Sequence, residues 1–161
     1  TSLPSDGLSN NDSLKNIIVI HPASVSSYTY IEYFESGPGG WYSGGTNVSW
    51  AFGTPSKNVI NSAASGSNSW VTGGLGTTFY NMNENSYVAS PCFDFSSLSQ
   101  PMIEMKIWYD IGYNDGAVMQ SSVDGGATWQ NVGSLGDALN WYNNGAIYSL
   151  PGGQPIGWNG S

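Results

Sequence analysis

Arginine is absent from this chain, and histidine and cysteine occur once each. Each scarcity excludes a class of function. Without arginine there is no planar fork to grip a carboxylate or a phosphate. Lys15, Lys57 and Lys106 are the fixed cations, against a formal net charge of −8. That field repels phosphate backbones and anionic bilayers, so nucleic acid and an acidic membrane surface are poor partners. His21 alone cannot supply a histidine zinc site or a two-histidine proton relay, and no Gly-x-Ser-x-Gly elbow accompanies it. Cys92 has no mate for an intrachain disulfide. It stands between Pro91 and Phe93-Asp94-Phe95, an apolar setting that reads as a buried, inert thiol. No apolar run approaches the roughly 18 residues of a membrane span, so membrane insertion is not expected. The first residues, Thr1 to Asp6, lack the basic and apolar regions of a secretion signal, and the chain reads as an internal piece of a longer protein.

Charged residues make up 9% of the 161 positions, well under the roughly 25% of ordinary domains. Solubility therefore rests on Ser, Asn, Thr and Gly, a composition common in exported β-proteins. Seven Trp and ten Tyr within a 39% apolar content are enough for a core. Gly, Pro, Asn and Ser interrupt the chain about every eight to twelve residues, as in sandwiches. Strands are expected at Tyr28–Phe34, around Val48-Trp50-Phe52, and at Val59-Ile60, Ser69–Thr72 and Ser86–Ala89. Gly37–Gly45 reads as a loop. The strongest alternation spans Met102–Tyr113, with Ile103, Met105, Ile107, Tyr109 and Ile111 on one face. Asn114-Asp115-Gly116 then signals a hairpin returning through Ala117–Val123, followed by short strands at Thr128–Val132 and Ala146–Leu150. Pro151–Ser161 reads as loop. The fold class is all-β, an antiparallel β-sandwich. Residues 1–27 read as a linker and 28–161 as the module, with no apolar alternation after Leu150 to cover its edge.

Four features carry candidate chemistry. Ser122-Val123-Asp124-Gly125-Gly126-Ala127-Thr128-Trp129 matches the Asp-box pattern Ser-x-Asp-x-Gly-x-Thr-Trp at every defined position. Its Asp caps turn N–H groups, its Gly supplies positive φ and its Trp packs under the hairpin, so Ser122, Asp124, Gly126, Thr128 and Trp129 are structural. Asp-boxes are familiar from sialidases, but a single copy without arginine does not make one. The carboxylates show no acid–base spacing for glycoside hydrolysis, and no catalytic residue is assigned. Calcium needs six to eight oxygens, and Glu35 with the Asn83-Glu84-Asn85 turn are its expected ligands. Finally, Trp41-Tyr42 and Trp141-Tyr142, the latter beside Asn140, Asn143 and Asn144, offer flat faces and amides for a neutral glycan.

Taken in order, Tyr33-Phe34-Glu35-Ser36-Gly37, Gly40-Trp41, Trp50-Ala51-Phe52-Gly53-Thr54-Pro55, Asn68-Ser69-Trp70-Val71-Thr72 and Asn83 through Asp94 form a series closed by Asp115-Gly116 and the Asp-box. This series, covering Tyr28 to Trp158, resembles the MAM-like jelly-roll modules of large surface proteins of gliding and related bacteria. It is more distantly similar to cleaved-adhesin domains attached to secreted proteases. Against the MAM-like modules, residues 1–27 are similar to the tail of a preceding Ig-like repeat, and the module 28–161 is truncated before its closing C-terminal strands. The resemblance implies a lectin-like jelly roll, a secreted or cell-surface setting reached by type IX export, bound calcium with Glu35 as a ligand, and no activity of the module itself. The resulting expectation is an adhesion or spacer module, taking a glycan or surface protein as ligand and joined to neighbouring domains. The alternatives are a carbohydrate-binding module of a secreted hydrolase and an accessory domain of a secreted metallopeptidase.

Overall fold

The computed structural model describes residues 24–137 and 141–160. Among these the regular structure is almost wholly β, in three two-stranded antiparallel ribbons with one short 3-10 turn at Pro151–Gly153. Strand β1 (Tyr42–Thr46) pairs with β4 (Asn85–Ala89), β2 (Ala51–Gly53) with β3 (Ser69–Val71), and β5 (Gln120–Ser121) with β6 (Gln130–Asn131). The all-β, antiparallel class read from the sequence is what the structure has. Among the described residues no helix is long and apolar enough to cross a membrane.

Local chemistry explains each pairing. In the first ribbon Gly44 lies opposite Tyr87, where a Cβ would strike the tyrosine ring; the missing side chain lets the ring lie across the strand. In the second, Phe52 faces Trp70 with ring centroids 5.6 Å apart, a cross-strand aromatic pair of the kind that stabilises ribbons. Phe34 extends that cluster, 6.1 Å from Phe52 and 5.7 Å from Trp41. Glycines therefore did not keep Gly37–Gly45 wholly a loop, as expected, because Tyr42 onward finds a partner in β4. Val25 bridges Phe93 in parallel, so backbone pairing in this half includes a residue ahead of Tyr28.

The C-terminal half departs most from expectation. Met102–Tyr113, expected as the strongest strand, forms no ladder beyond a single bridge at Ile111. Met102, Ile103, Ile107 and Trp108 are exposed. Alternation marks a segment able to be a strand, but a strand also needs a neighbour for its N–H and C=O groups. The expected Asp-Gly turn does not form; the chain turns earlier, at Tyr113-Asn114, with Asp115 N–H donating to the Gly112 carbonyl, and the flanks do not pair with each other. Ile111 bridges Gly160 and Ala117 bridges Trp158. Residues expected to be loop thus form the centre: Trp158 is 2% exposed, with Tyr142 and Ile147 buried around it. Sealing an indole removes on the order of 150–250 Å² from water, roughly 4–6 kcal/mol as an upper bound. Ala146–Leu150 likewise is not a strand, and only Ile147 turns inward. Tyr28–Phe34 and Val59-Ile60 also form no strand; Ile31, Tyr33 and Val59 stand exposed and Phe34 has φ 64°. Cys92 is exposed, not buried, because the rings of Phe93 and Phe95 stack on each other 5.7 Å apart and not over the thiol.

Asn159 fixes the C-terminal segment. Its buried Nδ2 donates to the carbonyls of Gly112, Tyr113 and Asp115 at 3.1, 3.1 and 2.6 Å. Asn143 holds its backbone on both sides, accepting from Asn159 N–H at 2.9 Å and donating to its carbonyl at 2.8 Å. Tyr80 closes the same turn, donating to Asp115 at 2.7 Å and accepting from Gly112 N–H at 3.1 Å. Removal of Trp158 therefore opens the core: Trp158→Ala should cost about 3–5 kcal/mol, whereas Trp108→Ala, half exposed and outside any ladder, should cost less than about 1 kcal/mol. Urea unfolding of the two variants separates them, and equal losses would contradict this core.

Candidate functional site

The Asp-box turn is the most completely specified polar site. Asp124 accepts from Thr128 N–H at 2.9 Å and Thr128 Oγ1 at 2.6 Å, and from Ser122 Oγ at 2.7 Å. Ser122 Oγ in turn accepts from Gly126 N–H at 2.7 Å. Gly126 has φ 91°, a conformation other residues rarely adopt. The bonds from Thr128 above all, with that from Ser122, hold the Asp124 carboxyl at about 2, against an ordinary 3.8. Both oxygens are thus engaged within the turn that joins β5 to β6, as a cap and not as a reacting group. Trp129 is the exception: its ring is 49% exposed and faces Gly126 instead of packing into a core.

Glu84 builds a second closed site. It accepts from Ser49 N–H, Ser49 Oγ, Asn81 N–H and Ser86 Oγ at 2.9, 2.5, 2.9 and 2.5 Å. Partial burial pushes its carboxyl up, and these four donors together outweigh that and hold it below the usual range. Asn83 adopts φ 54°, its carbonyl taking a bond from Asn47, while Asn85 opens β4. Glu35 closes a different loop, accepting from Ser67 and Asn68 N–H at 2.9 Å each. Among the described residues no three His, Cys, Asp or Glu side chains gather. The carboxylates of Glu35 and Glu84 each serve a loop of their own.

Glu35 does line a shallow groove of about 450 Å³, with Ile31, Glu32, Tyr33, Ser36, Ser65 and Gly66. Neither expected aromatic pair reaches it. Trp41 is half-buried against Phe34, while Tyr42 is 54% exposed and edge-on to Tyr87 at 6.4 Å. At the other pair, Tyr142 is buried at 3% exposure and its hydroxyl binds Met119 and Val132. Trp141 donates to the Val132 carbonyl at 3.1 Å and lies 5.3 Å from Trp158. Trp141 and Tyr142 are therefore packing groups, and Asn143 and Asn144 serve Asn159 instead of a ligand; Asn140 lies outside the described residues. Periodicity gave no sign of Lys57, whose ammonium donates to the carbonyls of Gly73, Gly76 and Thr78 at 3.0, 3.3 and 2.6 Å. Only an isolated cation beside a Gly-rich loop could have hinted at it.

The depressed carboxylates set the acid limit. A lowered folded-state value stabilises fully above the ordinary value and loses that stabilisation as pH falls through the folded one. For Asp124 the window runs from 3.8 down to about 2, and for Glu84 it begins below 4.5. Melting temperature should fall on acidification through this window, and Asp124→Asn should start lower and fall less steeply. Parallel profiles of the wild type and the variant, followed by circular dichroism, would show that Asp124 does not carry the effect.

Comparison with known proteins adds one partial likeness. No family model and no solved structure matches the chain. Bacillopeptidase F of Bacillus subtilis is 27% identical over 142 residues, which is 86% of this chain and 10% of that protein. The chain thus spans about a tenth of the length of the curated relative it matches.

Proposed function

We propose that this chain is a non-catalytic accessory module of a longer, exported bacterial protein, placed beside a peptidase or a comparable surface domain. One observation carries the reading: nearly the whole chain matches a small segment of a much larger peptidase, as a module carried alongside a catalytic part would. The site chemistry supports it. Asp124 and Glu84 are held in their ionised form by backbone N–H and hydroxyl donors, unlike an acid–base pair poised near neutral pH. Export is supported by the Ser-, Asn- and Gly-rich, charge-poor composition.

Adhesion to a neutral glycan is the second reading, favoured by a specific feature of the first ribbon. Tyr42 and Tyr87 stand edge to face on neighbouring strands, each about half exposed, and present aromatic surface to solvent on which a sugar ring can stack.

Incubated with peptide and glycoside substrates, the purified chain should release no product above buffer. Turnover abolished by one carboxylate substitution would refute the non-catalytic reading. On a neutral glycan array, saturable binding lost in Tyr42→Ala would establish the adhesive role over a purely accessory one.

A further inference from the structure

The sequence contains two Asn-Gly steps, Asn144-Gly145 and Asn159-Gly160. The fold places them against each other, Asn144 Nδ2 donating to Asn159 Oδ1 at 3.0 Å. An Asn-Gly step is the place where a backbone N–H, unhindered by a following Cβ, most readily reaches a side-chain amide carbon. In that reaction the Gly160 nitrogen would bond to Asn159 Cγ and give up its proton. The Cγ–Nδ2 bond breaks, ammonia leaves and a five-membered imide forms. Solvent water then opens either imide carbonyl, leaving aspartate or isoaspartate with no change of oxidation state.

We propose that Asn159 is a hydrolytic modification site held shut by the native knot, so that its deamidation makes an opening of this region permanent. The closed state holds the side-chain amide and the backbone on either side of it. Nδ2 is held by three carbonyls and Oδ1 by Asn144. The backbone on the near side is clamped by Asn143. On the far side the Gly160 carbonyl accepts from Ile111 N–H at 2.9 Å. Swinging Cγ toward the Gly160 nitrogen breaks the side-chain bonds together, and at 8% exposure little water reaches the residue. The product cannot return. A carboxylate would set an anionic acceptor against three carbonyl oxygens that now meet a donor, and would place a new charge at a buried position. Asn144 differs. Its Oδ1 accepts from Ala146 N–H at 2.8 Å, a role that a carboxylate keeps, so conversion there turns a single contact, that with Asn159 Oδ1, from donor to acceptor and leaves the three carbonyl bonds of Asn159 in place.

The test uses the whole chain, aged in mildly alkaline buffer with and without urea, and peptide mapping by mass spectrometry with enzymatic isoaspartate labelling. In urea both steps should convert at similar rates. In the native protein Asn159 should convert at least about tenfold more slowly than in urea, since only opened molecules react. Native conversion at the urea rate would overturn the proposal. A second measurement does not depend on expressing a damaged variant. Urea-aged protein is returned to buffer, the Asn159-modified fraction is separated by charge, and its melting is compared with unmodified protein from the same sample. The modified fraction should lack the native transition; wild-type melting of that fraction would overturn the proposal, whereas Asn144→Asp should fold.

Discussion

One side-chain amide holds the C-terminal half of this protein in register. The Asn159 Nδ2 group meets three carbonyls of the turn after Ile111, and only a neutral amide offers donors there while accepting from Asn144 on its other atom. Everything nearby follows from that fit. Trp158, one residue earlier, is carried into the core between Tyr142 and Trp141, and Gly157 and Gly160 reach the bridges at Asn144 and Ile111. A buried polar network of this kind is stabilising only when complete. The same completeness explains why Asn143 and Asn144 look like ligand-binding amides in sequence and are not free to be so.

The sequence made the second ribbon and β4 legible because aromatic and β-branched residues alternate there over short spans bounded by Gly, Pro and Asn. The Asp-box was legible because its bonds run between residues two to four apart. What failed to show was partner choice. Met102–Tyr113 has better alternation than any strand that formed, yet Ala117 and Ile111 take their bridges from Trp158 and Gly160. Nothing in a local window distinguishes a Trp that will be buried, such as Trp158, from one that stays half exposed, such as Trp129. The candidate ligands failed for a related reason: residue type gives the chemistry of Glu84 and Tyr142 but not the Ser49 hydroxyl or Val132 carbonyl that engages it.

A chain with no arginine must find other uses for its carboxylates. Among the described residues the one ion pair, Lys106 with Glu104, is exposed on both sides and contributes little. Six other carboxylates close loops through backbone N–H groups: Glu32 at Phe34, Asp94 at Ser96, Asp137 at Ser134, besides Glu35, Glu84 and Asp124. Lys57 mirrors them, a cation satisfied wholly by carbonyls. Hydrogen bonds of this kind, from backbone to charged side chain, fasten loops among described residues that form little regular structure.

The two fastenings differ in how much chain they enclose. Asp124 reaches Thr128 across four residues, whereas Asn159 reaches Asp115 across 44. With closure entropy rising as three-halves of RT times the logarithm of loop length, the longer closure costs about 2 kcal/mol more. The short turn can therefore persist when the surrounding chain is loose, while the long one holds only as part of the assembled half. Local order and global order are secured here by different residues, and losing the second does not entail losing the first.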